Sequence, residues 1–188
     1  CYALLMLDAG NYNNPKQPEL RKKFITELLE YQKESGGFCI DNSLDPEVDI
    51  TAMAVQALAP YYKEDKCKKE KMDAQKMKES IDAAVKWLAA KESDDAEFLH
   101  DNIASSESIS QVILALCALE RDPGKDETFT KKESTLLDAL AKFRKEDGIY
   151  MHEKADEEGS AMATYQAMIA LEAIQKLRTE KKWIFDFK

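Results

Sequence analysis

Gln32-Lys33-Glu34-Ser35-Gly36-Gly37-Phe38, leading to Asp49-Ile50-Thr51-Ala52-Met53 and closing on Ala57-Leu58, is the stretch that decides the fold, because it recurs. A second copy runs from Phe98 through Glu107-Ser108-Ile109-Ser110-Gln111 to Ala115-Leu116. A third runs from Arg144 through Gly148-Ile149-Tyr150 and Met162-Ala163-Thr164-Tyr165-Gln166 to Ala170-Leu171. Ala57 and Ala115 are 58 residues apart, and Ala115 and Ala170 are 55 apart. Such a spacing holds two helices and two connections, so the repeated unit is a helical hairpin.

Within the unit two kinds of helix alternate. Residues 50–59, 109–119 and 161–174 are apolar on nearly every face, which calls for burial all round and an inner layer. Residues 21–32, 81–91 and 136–143 carry one apolar stripe, as in Phe24, Ile25, Leu28 and Leu29, with charge opposite, and form an outer layer. Strict alternation of the two curves into an all-α arc, a partial α/α toroid of about seven helices. The methionines Met53, Met162 and Met168 sit at helical spacing and are expected in the core.

Composition supports this reading and narrows the function. The 188 residues are read as a single domain, with 44% hydrophobic content and only six Gly and five Pro. A net charge of -9 argues against a nucleic-acid or anionic-membrane surface. The lysines between Lys63 and Lys78 alternate with Glu64, Asp65, Glu70 and Asp73 and read as a solvated connection. No run approaches the roughly 20 apolar residues that span a bilayer. The opening Cys1-Tyr2-Ala3-Leu4-Leu5-Met6-Leu7 aligns with residues 52–58, the second half of an inner helix, so the natural protein is expected to begin earlier and to carry neighbouring domains. Of the four cysteines, Cys1 and Cys117 lie in apolar helical runs and read as free thiols, and Cys39 with Cys67 is the only pair suited to a bridge test.

Local signals place the boundaries. Asp45-Pro46-Glu47 reads as a cap with Pro in the first turn, and Thr130-x-x-Glu133 as a capping box ahead of the outer helix at Leu136. Gly36-Gly37, Pro123-Gly124 and Gly148 fall between helices, where chain reversal is needed.

Gln32-x-x-x-Gly36-x-Phe38 resembles the Gln-x3-Gly-x-Trp/Phe repeat of terpene cyclases and protein prenyltransferase β subunits, and Arg144-x-x-x-Gly148-x-Tyr150 keeps its spacing. Residues 91–98 read as a degraded copy, one residue longer and without Gly. Glu47-Val48-Asp49-Ile50-Thr51-Ala52 resembles the Asp-x-Asp-Asp-Thr-Ala acid motif of squalene–hopene cyclases, with Asp49 at the protonating position and two of the motif's carboxylates replaced by Glu47 and Ile50. Over nearly its whole length the chain looks closest to prenyltransferase/squalene-oxidase-repeat modules of secreted and surface proteins of anaerobic Gram-positive bacteria. Transcobalamin-like cobalamin carriers share that fold, so fold alone does not assign function.

Six residues are candidates for a rim of inner-helix starts and aromatic turns: Phe38, Asp49, His100, Glu107, Tyr150 and His152. His100 and His152 each follow the aromatic of their repeat by two residues, and in a toroid both join Asp49 and Glu107 at one end. With Glu107 they are the one set that could bind zinc with a position left open. The simpler reading makes the histidines surface turn residues, and Asp49 and Glu107 favourable charges bonded to free amides at helix starts, with no cofactor. A prenyltransferase would supply Asp, Cys and His together, and no Asp-x-Cys pair opens an inner helix here. A cyclase would use Asp49 as general acid, yet aromatics at 9% and two Trp leave little to shield a carbocation. The Cys-Gly-Glu-Gln element of complement-type thioester domains, a Gly-x-Ser-x-Gly elbow and a P-loop are all absent from the sequence. The expectation is a non-catalytic binding module of an extracellular or cell-surface bacterial protein, with an isoprenoid enzyme as the alternative and a cobalamin-carrier-like module as a further one.

Overall fold

The computed structural model describes residues 1–10 and 16–187, with Gln17 described by its backbone alone. Its helices are α1 (Tyr2–Ala9), α2 (Gln17–Leu29), α3 (Val48–Leu58), α4 (Glu64–Lys69), α5 (Ala74–Lys91), α6 (Ser106–Ala118), α7 (Leu136–Ala141) and α8 (Ala161–Glu180). Two short hairpins accompany them, β1 (Leu99–His100) with β2 (Ile103–Ala104) and β3 (Thr130–Lys131) with β4 (Ser134–Thr135), each antiparallel. In the inner layer α3 packs between α1 and α6, and α6 between α3 and α8, while α2, α5 and α7 lie outside against α1, α3 and α6. This is the inner and outer alternation of a partial α/α toroid.

The helix beyond the expected seven is α4, inside the Lys-rich stretch read as a solvated connection. Glu64 and Asp65 fill its first turn and Lys66, Lys68 and Lys69 its last, which complements the helix dipole at both ends. Cys67 points inward, and its thiol donates to the Tyr61 carbonyl at 2.9 Å. Cys39, Cys67 and Cys117 are buried free thiols and Cys1 is a half-buried one. Burial pushes the Cys117 thiol up to about 12.

The turn after each outer helix is built in one way three times. Backbone bridges join Gln32 to Phe38, Glu92 to Phe98 and Arg144 to Tyr150, so the middle copy has the same spacing as the others rather than one residue more. Inside the turns, Lys33, Ser93 and Lys145 donate to the carbonyls of Gly37, Glu97 and Ile149, and their own carbonyls accept from Gly36, Ala96 and Gly148. Those last three residues have positive φ, +97°, +60° and +91°. Ala96 therefore stands in the glycine place, which is why the copy looked degraded. Gln32 also ties its turn to the next outer helix, donating to the Ser80 carbonyl at 2.8 Å. In the middle copy the buried Glu92 carboxylate, raised in pKa by desolvation, faces Lys131 Nζ at 3.3 Å instead.

Each first and third turn is pinned to its inner helix by a threonine. The amides of Phe38 and Tyr150 donate to the hydroxyls of Thr51 and Thr164, both at 2.9 Å. Two capping expectations are corrected. Helix α3 starts at Val48 after an extended Glu47 with no side-chain cap, so Pro46 precedes the helix and Asp45 does not cap it. The capping box of α7 is Thr135 with Asp138, because residues 130–135 form the β3–β4 hairpin.

The largest correction concerns α8. Its small residues Ala163, Ala167 and Ala170 are buried, but Met162, Tyr165 and Met168 are 65%, 65% and 62% exposed, and Met53 is half-buried. Helices α3 and α6 each have an inner neighbour on both flanks, whereas α8 has one on a single flank among the described residues. Past α8, Trp183, Ile184 and Phe185 return to the core, and the Phe187 amide donates to the Ala9 carbonyl at 2.8 Å.

Candidate functional site

The inner helices α3 and α6 begin on one rim, and a groove of about 690 Å³ opens there. One side is the segment leading into α3, with Leu44 and Pro46, and the first residue of the helix, Val48; the other is the β1–β2 hairpin, with Leu99 and Ile103. Asp101 and Asn102 make the hairpin's tight turn at φ of +50° and +66°, conformations that Asx side chains tolerate. Trp87 of α5 and Phe98 lie beneath. Gly37 is what lets Trp87 approach: a Cβ there would stand 2.7 Å from the indole ring. These groups give the groove an apolar body.

Its polar groups are mostly acidic. Asp45, Glu47, Asp49, Asp101 and Glu153 line it against a single lysine, Lys91, with His100 and His152 as the remaining titratable groups. The Lys91 ammonium lies 5.2 Å from the centre of the Trp87 ring. Asp49, in the first turn of α3, has its Oδ1 shut off from solvent without a hydrogen-bond partner. Desolvation is the main reason its pKa is raised; the nearby Ser108 hydroxyl opposes the rise, and the charges of Glu107 and Glu47 add to it.

Of the six rim candidates, Asp49, His100 and His152 line the groove, and Glu107 joins them through His152, whose Nδ1 lies 2.9 Å from Glu107 Oε2. That contact, ahead of the opposing desolvation, raises the His152 pKa. The Ser106 amide and hydroxyl bond the carbonyls of His152 and Met151 at 3.0 and 2.7 Å, stitching the third turn to the start of α6. His100, equivalent in sequence, is differently placed: its side chain is 88% exposed, 3.7 Å from Asp101 Oδ2. Among the described residues no three His, Cys, Asp or Glu side chains converge on a position that could hold a metal ion.

Phe38 and Tyr150 are corrected from rim to core, at 0% and 5% exposed. The backbone bridge in each turn, with the threonine on its amide, turns the ring under the inner helix. Nor does either acid cap its helix: Ser105 caps α6, and α3 has no side-chain cap. Sequence reasoning missed Leu99, Ile103 and Trp87. The Asp-Asn pair between Leu99 and Ile103 was a readable hairpin signal, whereas Trp87 sits on an outer-helix stripe like any core residue.

What this rim can do chemically follows from its charge. Its excess of carboxylates gives a negative field that disfavours phosphates, and that field lies beside apolar walls.

No curated protein matches the sequence. The prenyltransferase alpha-alpha toroid domain family matches twice, over residues 1–120 and over residues 68–186. The two matches overlap, as they must when one repeat serves as the end of one register and the start of the next. With its alternating helix layers and triplicated turn, this chain belongs to the prenyltransferase alpha-alpha toroid domain family.

Proposed function

We propose that this chain is a non-catalytic binding module, acting in an extracellular or surface protein, and that its ligand seats in the groove between the segment before α3 and the β1–β2 hairpin. The carrying observation is the pairing of apolar side chains with carboxylates in one concavity of about 690 Å³, a volume typical of ligand sites. The charge weighs against the prenyltransferase alternative, since five carboxylates and one lysine would oppose a diphosphate. The extracellular setting rests on the resemblance to secreted repeat modules, and surface labelling of cells expressing the full gene tests it.

The binding reading is tested by thermal shift with a panel of peptides, glycans, cobalamin, zinc and allylic diphosphates, in the native chain and in Ile103→Ser. A ligand at about a hundred times its dissociation constant adds roughly 2.7 kcal/mol, and the gain should vanish in the variant. Stabilisation by an allylic diphosphate, followed by its turnover, would refute the reading.

One observation favours a second reading. Asp49 is desolvated, raised in pKa and beside the groove, as a general acid of the cyclase type must be. Incubation with squalene or a related alkene, with products resolved by gas chromatography and compared between native chain and Asp49→Asn, decides it.

A further inference from the structure

We infer that the groove takes an extended polypeptide segment in which a lysine or arginine side chain is flanked by apolar residues, the cation going to Asp49. This rests on the reading of the chain as a binding module and names the class of ligand.

Charge complementarity comes first. Asp49 is half-buried and lines the groove, with one of its oxygens shut off from solvent and the Ser108 hydroxyl its one nearby side-chain donor. Its charge is therefore poorly compensated, and a cation meeting the carboxylate from the groove is favoured. Asp45, Glu47, Asp101 and Glu153 surround the approach, and low-dielectric walls focus their field on an incoming positive charge. The one lysine is already drawn over the Trp87 ring. Beside Lys91, an anionic ligand meets His100, next to Asp101, and the His152 imidazole, already engaged by Glu107.

The apolar part of the ligand is set by the walls. Leu44, Leu99 and Ile103 are 49%, 48% and 48% exposed and all line the groove, so residues beside the cation can cover them. An amphipathic small amine would satisfy one wall but not both.

An extended backbone is favoured by the hairpin. On one side β1 pairs with β2, and beyond β2 the strand direction continues into a bridge between Ser105 and Glu153. Among the described residues β1 has no strand on its other side, and both its residues, Leu99 and His100, line the groove. The bridge between Glu92 and Phe98 adjoins this edge just before β1, so a segment lying there in β conformation pairs only beyond it, along Leu99 and the turn, and sends alternate side chains toward Asp49 and away from it.

Fluorescence anisotropy with labelled acetyl-Leu-Lys-Leu-Lys-Leu-amide tests this, beside versions carrying norleucine or Glu in place of Lys. The lysine peptide should bind at least tenfold more tightly than either, weaken with added salt, and lose about tenfold in Asp49→Asn, with Asp101→Asn a milder variant at an exposed position. It should be lost in Ile103→Ser. If the norleucine or Glu peptide binds as well and is lost in Ile103→Ser, the groove binds peptides but the cationic class is wrong. If n-butylammonium competes with an affinity equal to the peptide's, the polypeptide part is wrong. Binding of the lysine peptide that neither Asp49→Asn nor Ile103→Ser changes lies outside the groove and overturns the inference. If none of the peptides binds while another ligand's stabilisation is lost in Ile103→Ser, the inference fails and the module reading stands; if nothing binds at all, both fall.

Discussion

His152 Nδ1 lies 2.9 Å from Glu107 Oε2, two residues 45 apart in sequence, and the contact closes the third turn onto the first turn of α6. It holds the rim of the groove together from below, and because one partner titrates near neutrality it makes that rim sensitive to pH.

The sign of the effect follows from the raised His152 pKa. A group held more basic in the folded chain than in the unfolded one contributes stability that is fully present below the unfolded value, about 6.5 for imidazole, and is lost as pH rises through the higher folded value. The His152 side chain is 52% exposed, so solvent screening limits the contribution to about 0.5 kcal/mol. His152→Gln should therefore lower the melting temperature at pH 5.5 and leave it nearly unchanged at pH 8.5. A loss that is larger at pH 8.5 would mean the imidazole acts as a neutral packing group.

The three equivalent turns predict three different responses to one substitution. Gly36→Ala and Gly148→Ala both force a methyl into the left-handed region, at about 1–2 kcal/mol. At Gly148 the new Cβ meets only Arg144 Nη2 at 3.4 Å, whereas at Gly36 it would stand 2.5 Å from the Ala83 carbonyl oxygen, a backbone atom of α5. Urea unfolding should show Gly36→Ala costing clearly more than Gly148→Ala. For Ala96→Gly, relief of the same strain is offset by a lost buried methyl and by glycine's entropy, so a change within about 0.5 kcal/mol is expected.

These turns also mark how far the fold could be read from the residues. Gly36 and Gly148 announce themselves because their conformation selects glycine, and so the hairpin repeat and its inner and outer layers were legible. Ala96 adopts the same conformation with an ordinary side chain, which hid the true spacing of the middle copy. At the site, Asp49 and His152 were found because charged residues at helix starts and turns are conspicuous. Phe38 was misplaced because an aromatic in a turn reads alike whether its ring faces solvent or core. Which way it faces is set by the hydrogen bond between its amide and Thr51, a tertiary contact across 13 positions.

Glutamines link the inner layer. Gln56 Nε2 donates to Gln111 Oε1 at 2.8 Å, and Gln111 Nε2 donates to Gln166 Oε1 at 2.8 Å, so one side chain of α6 serves both its neighbours. Gln56 is 3% exposed and cannot turn to water. Gln111→Met should cost about 1–3 kcal/mol by leaving one Gln56 N–H without its Oε1 acceptor, the other still reaching the Gln111 main-chain carbonyl at 3.2 Å. The double variant with Gln56→Met should cost less than the sum of the two single changes, because the buried Gln56 amide that each single change disturbs is then gone. Additive losses in a double-mutant cycle would show that the ladder carries no coupling.

The open flank of α8 yields the sharpest contrast. Met168 stands 55 residues after Ile113 and Ile113 stands 58 after Val55, so the three occupy one place in the repeat. Val55 and Ile113 are 0% exposed, sealed by the next inner helix, while Met168 is 62% exposed. Ile113→Gln must bury an amide in an apolar contact and should cost about 3 kcal/mol or more. Met168→Gln removes only a solvated thioether and should change stability by no more than about 0.5 kcal/mol. Urea unfolding of both variants checks this, run at two protein concentrations tenfold apart. A large loss in Met168→Gln that grows with concentration would mean that the flank is covered in solution by a second copy of the chain. A large loss independent of concentration would mean that α8 packs more deeply into its own arc than its exposed stripe indicates.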